Sequence, residues 1–468
     1  MVHFAPRVLA SLPTCGVVLM TLSLTSPAFA QLPRSPTVPG AGSTATVWTG
    51  PLAALLPDFL SDAAINAPGT LDHGDHFVRG LQSTVAGLEL SQSLAGQLGA
   101  FPLVSPSGGF VFEGPGGTGE FALTPRAPIF SERAHTIGRG RFATAFSYHR
   151  TKSDAISGLD LDSGEINIYA PHNDCCGPGA VPSRAGNGNP AFEGDVLQET
   201  LGLELRQSIA TGSAVYGLTR RIDVGVLVPL LKVDVDARIT ARIRRIATSA
   251  TPGVHSFDGT DLANRTTYRR GSATGLGDIR VRAKYNALRT SSGGVAVAVD
   301  ATLPTGDEDD LLGGGGTRIR AGLVASGERG RLSPFLSAGF TKSDAKTSAF
   351  ASTWTNAISS VAAGVSNKVP DEIDYSGGFT LATTSWLTFD LEALGRTLID
   401  ARQFEQGGPF GDGLTVNAPG TVHRVMAVAG ARIRANSRLL LTAGVLIPIV
   451  DRGLRPKARP VVSLDFGF

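Results

Sequence analysis

Long apolar runs are scarce in this sequence. After residue 30 no stretch reaches the roughly 18 apolar residues that a membrane helix needs, so a chain that crosses a bilayer must do so with strands. Cysteine is nearly missing as well. Of three cysteines, Cys15 lies in the N-terminal stretch and only the adjacent Cys175 and Cys176 remain, which excludes a disulfide-framed scaffold. The vicinal pair reads as two loop thiols, with a strained disulfide or a metal or redox site as the alternatives. An excess of one charge is missing too: 42 Lys and Arg stand against 40 Asp and Glu, and no basic run is interleaved with aromatics. Nothing here points to nucleic acid. The usual marks of hydrolytic catalysis are also missing. There is no G-x-S-x-G and no H-E-x-x-H, and His149 and His423 stand without a nucleophile at strand spacing. No catalytic residue, metal or cofactor is expected, and the chain is not read as an enzyme.

What is present begins with a leader. Arg7 supplies a positive start, Gly16 to Leu24 is an apolar stretch of signal-peptide length, and Ala28-Phe29-Ala30 is a small-x-small cleavage site before Gln31. Residues 1–30 are therefore expected to be a cleaved secretory signal. Residues 31–130 differ in texture from the rest. Gln31 to Gly50 reads as an extended linker, Leu52 to Ile65 and Arg79 to Leu98 read as helices, and SPSGGFVFEGPGGTGEF then breaks any regular element. This region is expected to be a linker followed by a plug or a periplasmic segment.

From residue 131 onward the expectation is an all-β chain. In GVAVAVDATLP, Val295, Val297, Val299, Ala301 and Leu303 alternate with Ala296, Ala298, Asp300 and Thr302; in GDIRVRAKYNA, Ile279, Val281, Ala283 and Tyr285 alternate with Arg280, Arg282, Lys284 and Asn286. Three cations on one strand face are costly in a dry core and ordinary in a wet lumen. Such runs predict about twelve strands, near 141–150, 199–210, 221–244, 277–288, 294–303, 316–326, 331–343, 372–383, 386–395, 421–435, 438–449 and 460–468. Their connectors alternate. GLTRR, LRTSSGG, GERGR, TTS and ANSR are short, whereas 151–198, 245–276, 304–315, 344–371 and 396–420 are long, as in an antiparallel transmembrane β-barrel with short periplasmic turns. Only a closed sheet satisfies every backbone group in lipid without apolar helices. The closing RPVVSLDFGF puts Pro460, Val462, Leu464, Phe466 and Phe468 on one face, and Phe466 and Phe468 resemble the terminal signal with which outer-membrane barrels engage their insertion machinery.

Three segments, YGLTRRIDVGVLVPLL (Tyr216 to Leu231), GLGDIRVRAKY (Gly275 to Tyr285) and LPTGDEDD (Leu303 to Asp310), resemble in that order motifs of the outer-membrane transporter family associated with the phenol meta-degradation pathway. The resemblance covers roughly the barrel half of the chain and implies uptake of aromatic or other hydrophobic compounds, as in the fatty-acid channel group.

Projecting the alternation inward makes Arg238, Arg242, Arg280, Arg282, Lys284, Asp300, Arg318, Arg320, Asp390, Glu392, Arg424, Arg432 and Arg434 candidate lumen-lining residues, with Lys232, Asp234, Asp236 and Asp465 beside them. Either these groups form a charged channel that favours anions such as aromatic carboxylates, or they pair across a narrow lumen and satisfy one another. Pro229 is a candidate bulge in the third strand. Asp307-Glu308-Asp309-Asp310 lacks calcium-loop spacing and reads as a solvated external loop; GLGD precedes a strand and reads as a turn. The expected whole is a monomeric bacterial outer-membrane channel whose partners are outer-membrane lipid, the insertion machinery and a small solute passing passively through a charged lumen. A structural or surface-interaction barrel with partner-binding loops is the alternative, and a soluble periplasmic sandwich is the third reading.

Overall fold

The computed structural model describes residues 46–65, 81–98, 110–112, 121–123, 126–171, 195–245, 257, 264–346, 368–407, 413–416 and 420–468, all within one unit, Ser43–Phe468. The leader, most of the linker, and Cys175 and Cys176 lie outside the described residues. Twelve long strands among them close into an antiparallel barrel. In chain order these are β1 Phe142–Ile156, β2 Val196–Gly217, β3 Ile222–Arg244, β4 Asn264–Leu276 continuing as Ile279–Thr290, β5 Gly293–Leu303 and β6 Arg318–Gly327. They are followed by β7 Leu332–Ser343, β8 Asp371–Ala382, β9 Leu387–Ala401, β10 Gly420–Arg434, β11 Leu439–Asp451 and β12 Arg459–Gly467. Each segment predicted from alternation overlaps one of them. The ring closes where β12 pairs with β1, from Val461↔His149 to Gly467↔Ala143.

The outward face of the ring is apolar. Phe146, Tyr285, Leu323, Leu336, Phe389 and Leu464 all point away from the lumen and are exposed. Inward neighbours on the same strands, among them Lys284, Asp390 and Asp465, are polar and buried. A soluble sandwich buries its apolar face, so this arrangement is that of an outer-membrane β-barrel. Leu336 is 64% exposed on β7. Its replacement by arginine is expected to destabilise the barrel in lipid vesicles by about 2–4 kcal/mol, read from unfolding titrations; an unchanged midpoint would mean that this face does not meet hydrocarbon.

β2 and β3, at 22 and 23 residues, run far past the roughly 9–11 residues that a tilted strand needs to span a bilayer. Along this projection the two faces exchange character. Near the short-turn end Asp223 points in and Val224 and Val226 point out; farther along, Val233, Val235, Ala237 and Ile239 point in, and Lys232, Asp234, Asp236, Arg238 and Arg242 point out. The β2–β3 ladder runs from Val196↔Arg244 to Gly217↔Asp223 without a register shift, so Pro229 marks no bulge in it. The environment changes instead: beyond the lipid the outer face meets water and the inner face meets helices.

Those helices are α1 Leu55–Ile65 and α2 Leu81–Leu98. Pro57 sits in the first turn of α1, where its missing N–H costs nothing, and Asp58 there favours the helix dipole. Leu52, Leu55, Phe59, Leu60, Leu90 and Leu94 form one core with Leu201, Leu203, Val233, Val235 and Ile239, inside the long-loop end of the barrel.

Candidate functional site in the barrel lumen

The first occupant of the lumen is the chain itself. Residues 126–137, just before β1, lie in the lumen near the short-turn end, held by inward side chains. Ile129 N and Phe130 N donate to Glu392 Oε1 at 2.5 and 3.0 Å, and Ser131 N donates to Glu392 Oε2 at 2.8 Å. Asp390 accepts a further bond from Ile129 N at 3.1 Å, and Arg432 Nη2 donates to Pro128 O at 2.5 Å. Lys284 and Asn286 on β4 donate to the carbonyls of Arg133 and Ala134, and Asp223 on β3 accepts from Ile137 N. An extended segment has no internal ladder, so each buried amide needs an outside partner, and the lumenal charges supply it. The Ile129 side chain rests over Gly430 and Gly444, which face each other across β10 and β11; a Cβ on Gly430 would come within 2.4 Å of Ile129 Cδ1.

Above this segment the lumenal charges pair with one another. Arg318 and Arg396 share Glu372 at 3.1 and 3.3 Å. Arg320 bridges Asp374 at 2.5 Å and Asp300 at 3.3 Å, and its guanidinium lies over Gly322 and Gly339, where a side chain on Gly339 would displace it. Arg282 joins Asp300 to Glu132 of the lumenal segment. Between this network and the segment lies a cavity of about 130 Å³ lined by both.

At the long-loop end the helices are clamped by Arg269, on the part of β4 that sequence reading leaves as loop. Its Nη1 donates to Asp58 Oδ2 at 2.6 Å, and its guanidinium stacks 5.0 Å from the Trp48 ring and 4.8 Å from the Phe59 ring. Glu89 of α2 pairs with Arg402 at 3.1 Å; burial pushes its carboxyl up from the ordinary range and Arg402 opposes that shift.

The thirteen candidates thus separate. Arg280, Arg282, Lys284, Asp300, Arg318, Arg320, Asp390, Glu392, Arg424, Arg432 and Arg434 lie on inward faces. Of these, Asp390, Glu392, Lys284 and Arg432 hold the lumenal segment, Arg282 reaches it through Glu132, and Arg424 donates to Leu454 O at 2.7 Å. Asp465 is also inward and buried, with Thr442 Oγ1 at 3.5 Å. Arg238 and Arg242 are the correction, together with Lys232, Asp234 and Asp236: all five face outward on the water-exposed projection, where Arg206 and Arg270 bridge Asp236. Period-2 parity cannot distinguish a polar lumen behind lipid from a polar exterior above it. Phe466 and Phe468 face outward at the short-turn end, where Phe468 N donates to Phe142 O at 2.9 Å. His149 is buried inside the barrel, and His423 Nδ1 lies 3.1 Å from Thr397 Oγ1. Among the described residues no cluster of His, Cys, Asp and Glu could hold a metal ion.

The motif segments meet at one joint. Between Leu227↔Arg280 and Leu230↔Leu276, β4 carries one more residue than β3, so the irregularity lies at Gly277 and Asp278. Gly277 N donates to Pro229 O, Thr305 Oγ1 donates to Gly277 O, and Asp278 accepts from Gly306 N and Gly314 N. GLGD is therefore a strand break whose aspartate ties down the next loop. That loop is not wholly solvated: Leu311 and Leu312 join the helical core, and Asp310 accepts from Leu52 N at 3.1 Å.

Residues 183–323, which contain all three motif segments, match the family model described as "Putative MetA-pathway of phenol degradation". The family resemblance holds. Among solved structures, an outer membrane channel from Pseudomonas putida F1 is similar at 11% identity and a TM-score of 0.40, over 72% of this chain and 98% of that one. A Pseudomonas aeruginosa FadL homologue is 13% identical with a TM-score of 0.31, over 70% and 90% of the two chains. TodX, solved as its deltaS2S3 mutant and described as a monoaromatic hydrocarbon channel, is 10% identical with a TM-score of 0.33, over 74% and 97%. No curated protein matches the chain.

Proposed function

We propose that this protein is an outer-membrane channel for small hydrophobic or aromatic solutes, closed in the conformation described above. The observation that carries the reading is the occupied lumen: a lipid-facing barrel whose inner charges grip an extended segment of its own chain, with a cavity left beside it. The segment is no part of the strand ladder, so its displacement would leave the barrel wall intact. The phenol-degradation family match supports monoaromatic cargo.

In this reading residues 1–30 direct export, the short-turn end faces the periplasm, Phe466 and Phe468 engage the insertion machinery, and one chain forms the complete pathway. Residues 46–65 and 81–98 close the outer mouth and residues 126–137 the inner one. The surface-interaction alternative is less well supported, because Leu161, Leu311, Leu312, Phe404 and Leu414 turn inward onto the helices. Chemistry is left to other proteins. The test is uptake of labelled phenol, benzyl alcohol and benzoate at low concentration by cells lacking the protein and by complemented cells. Faster uptake of at least one on complementation is expected; identical rates for all three would overturn the channel reading.

A further inference from the structure

The mid-lumen cavity has a charge imbalance. Five guanidinium groups line it, those of Arg280, Arg282, Arg318, Arg320 and Arg396, against four carboxylates, those of Glu132, Asp300, Glu372 and Asp374. Arg318 and Arg396 share Glu372, Arg320 takes Asp374 and Asp300, and Arg282 takes Asp300 and Glu132. Every carboxylate is thereby engaged. Arg280 makes no hydrogen bond or ion pair with any described residue, although it is half-buried and lines the cavity. Asp300 and Asp374 act on Arg280 only from beyond hydrogen-bonding distance, so its five donors stay available, and their planar fork suits a carboxylate in two-point contact.

Apolar side chains share the lining, and Leu227 is the cross-strand neighbour of Arg280 itself. Phe130 of the lumenal segment, Leu227, Val324 and Leu394 face the same space. Its volume of about 130 Å³ is close to the roughly 150 Å³ of an engineered protein cavity known to take benzene. The cavity thus brings a guanidinium and apolar surface together in one space of about ring size.

We propose that this cavity is a binding site for small monoaromatic carboxylates, with Arg280 taking the carboxylate and Phe130 and Leu394 flanking the ring. The proposal rests on the channel reading and names the cargo class for it. It also gives the lumenal segment a second role, since Phe130 can form its wall only while that segment is seated. The neighbouring ion pairs hold the other four guanidiniums in place, which leaves Arg280 as the one group whose pairing the ligand completes.

The experiment is calorimetric binding to purified full-length protein in detergent, using benzoate and its neutral counterpart benzyl alcohol, on wild type, Arg280→Gln and Arg280→Lys. Benzoate is expected to bind wild type, to lose about tenfold or more in affinity with R280Q and less with R280K, while benzyl alcohol responds little to either change. Circular dichroism of each variant verifies the folded barrel. Benzoate affinity unchanged within about twofold in a folded R280Q protein would overturn the site. Binding of benzyl alcohol without benzoate would overturn the site and leave the channel reading standing. Failure of both ligands to bind, together with identical uptake in cells with and without the protein, would overturn both.

Discussion

Replacing Glu392 by alanine is expected to release residues 126–137 from the lumen. The Glu392 carboxylate alone receives three backbone amides, those of Ile129, Phe130 and Ser131. Hydrogen bonds to a charged group contribute roughly 1.5–3 kcal/mol each, so the seated state loses on the order of 5 kcal/mol before compensation. Asp390, Arg432 and the Ser131–Ser376 contact at 2.9 Å remain and keep part of the grip. The measurable consequence is exposure. With Cys175 and Cys176 replaced by serine and a reporter introduced as Ala134→Cys, at a position buried in the seated segment, the thiol should react with a water-soluble maleimide about tenfold faster in the alanine variant than with Glu392 intact. Glu392→Gln, which keeps one acceptor oxygen, should fall between. Equal rates in folded protein would mean that the carboxylate does not hold the segment. Conductance should rise by less than labelling, because α1 and α2 still occupy the other end.

The second large effect is on stability and concerns Glu199. It lies on the inner face of the β2 projection, beyond the apolar belt, fully buried and with neither carboxylate oxygen hydrogen-bonded. Burial pushes its pKa up to about 8. Folded protein therefore keeps the proton through a range in which the unfolded chain, with an ordinary carboxyl near 4.5, has released it. Stability should fall as pH rises from about 4.5 to about 8 and then level, with a total loss on the order of 5 kcal/mol. Glu199→Gln removes the titration. At pH 5 the two proteins should unfold at nearly the same denaturant concentration, and at pH 8 the variant should be more stable by several kcal/mol. Parallel curves across that range would show that Glu199 reaches water in the folded state.

Particular residues show how far the sequence could be read. The alternation of β5, with Val297 and Val299 outward and Ala298 and Asp300 inward, is a local property of a strand between lipid and a polar lumen, so it is visible in eleven residues. Asn264 to Leu276 is equally a strand, yet it reads as loop because water lies on one side and Arg269 fills the other with a charge. No apolar period survives there. Lys232 to Arg242 has the period but not its meaning, since the same alternation is written for a lumen within the bilayer and for an exterior above it.

The sequence by itself determined the closed antiparallel barrel, its count of about twelve strands, its short-turn and long-loop ends and the alternation that gathers charged side chains on one strand face. Each follows from a period of two and the length of connectors, which are properties of neighbouring residues. Tertiary structure alone decided that Asp390, Glu392 and Arg432 meet backbone instead of solute, that α1 and α2 fill the long-loop end, and that Arg280 is left over when Arg282, Arg318, Arg320 and Arg396 have paired. Those outcomes depend on which groups come within about 3 Å across the lumen, between residues up to 304 positions apart in the case of Pro128 and Arg432, and no local pattern in the chain encodes that distance.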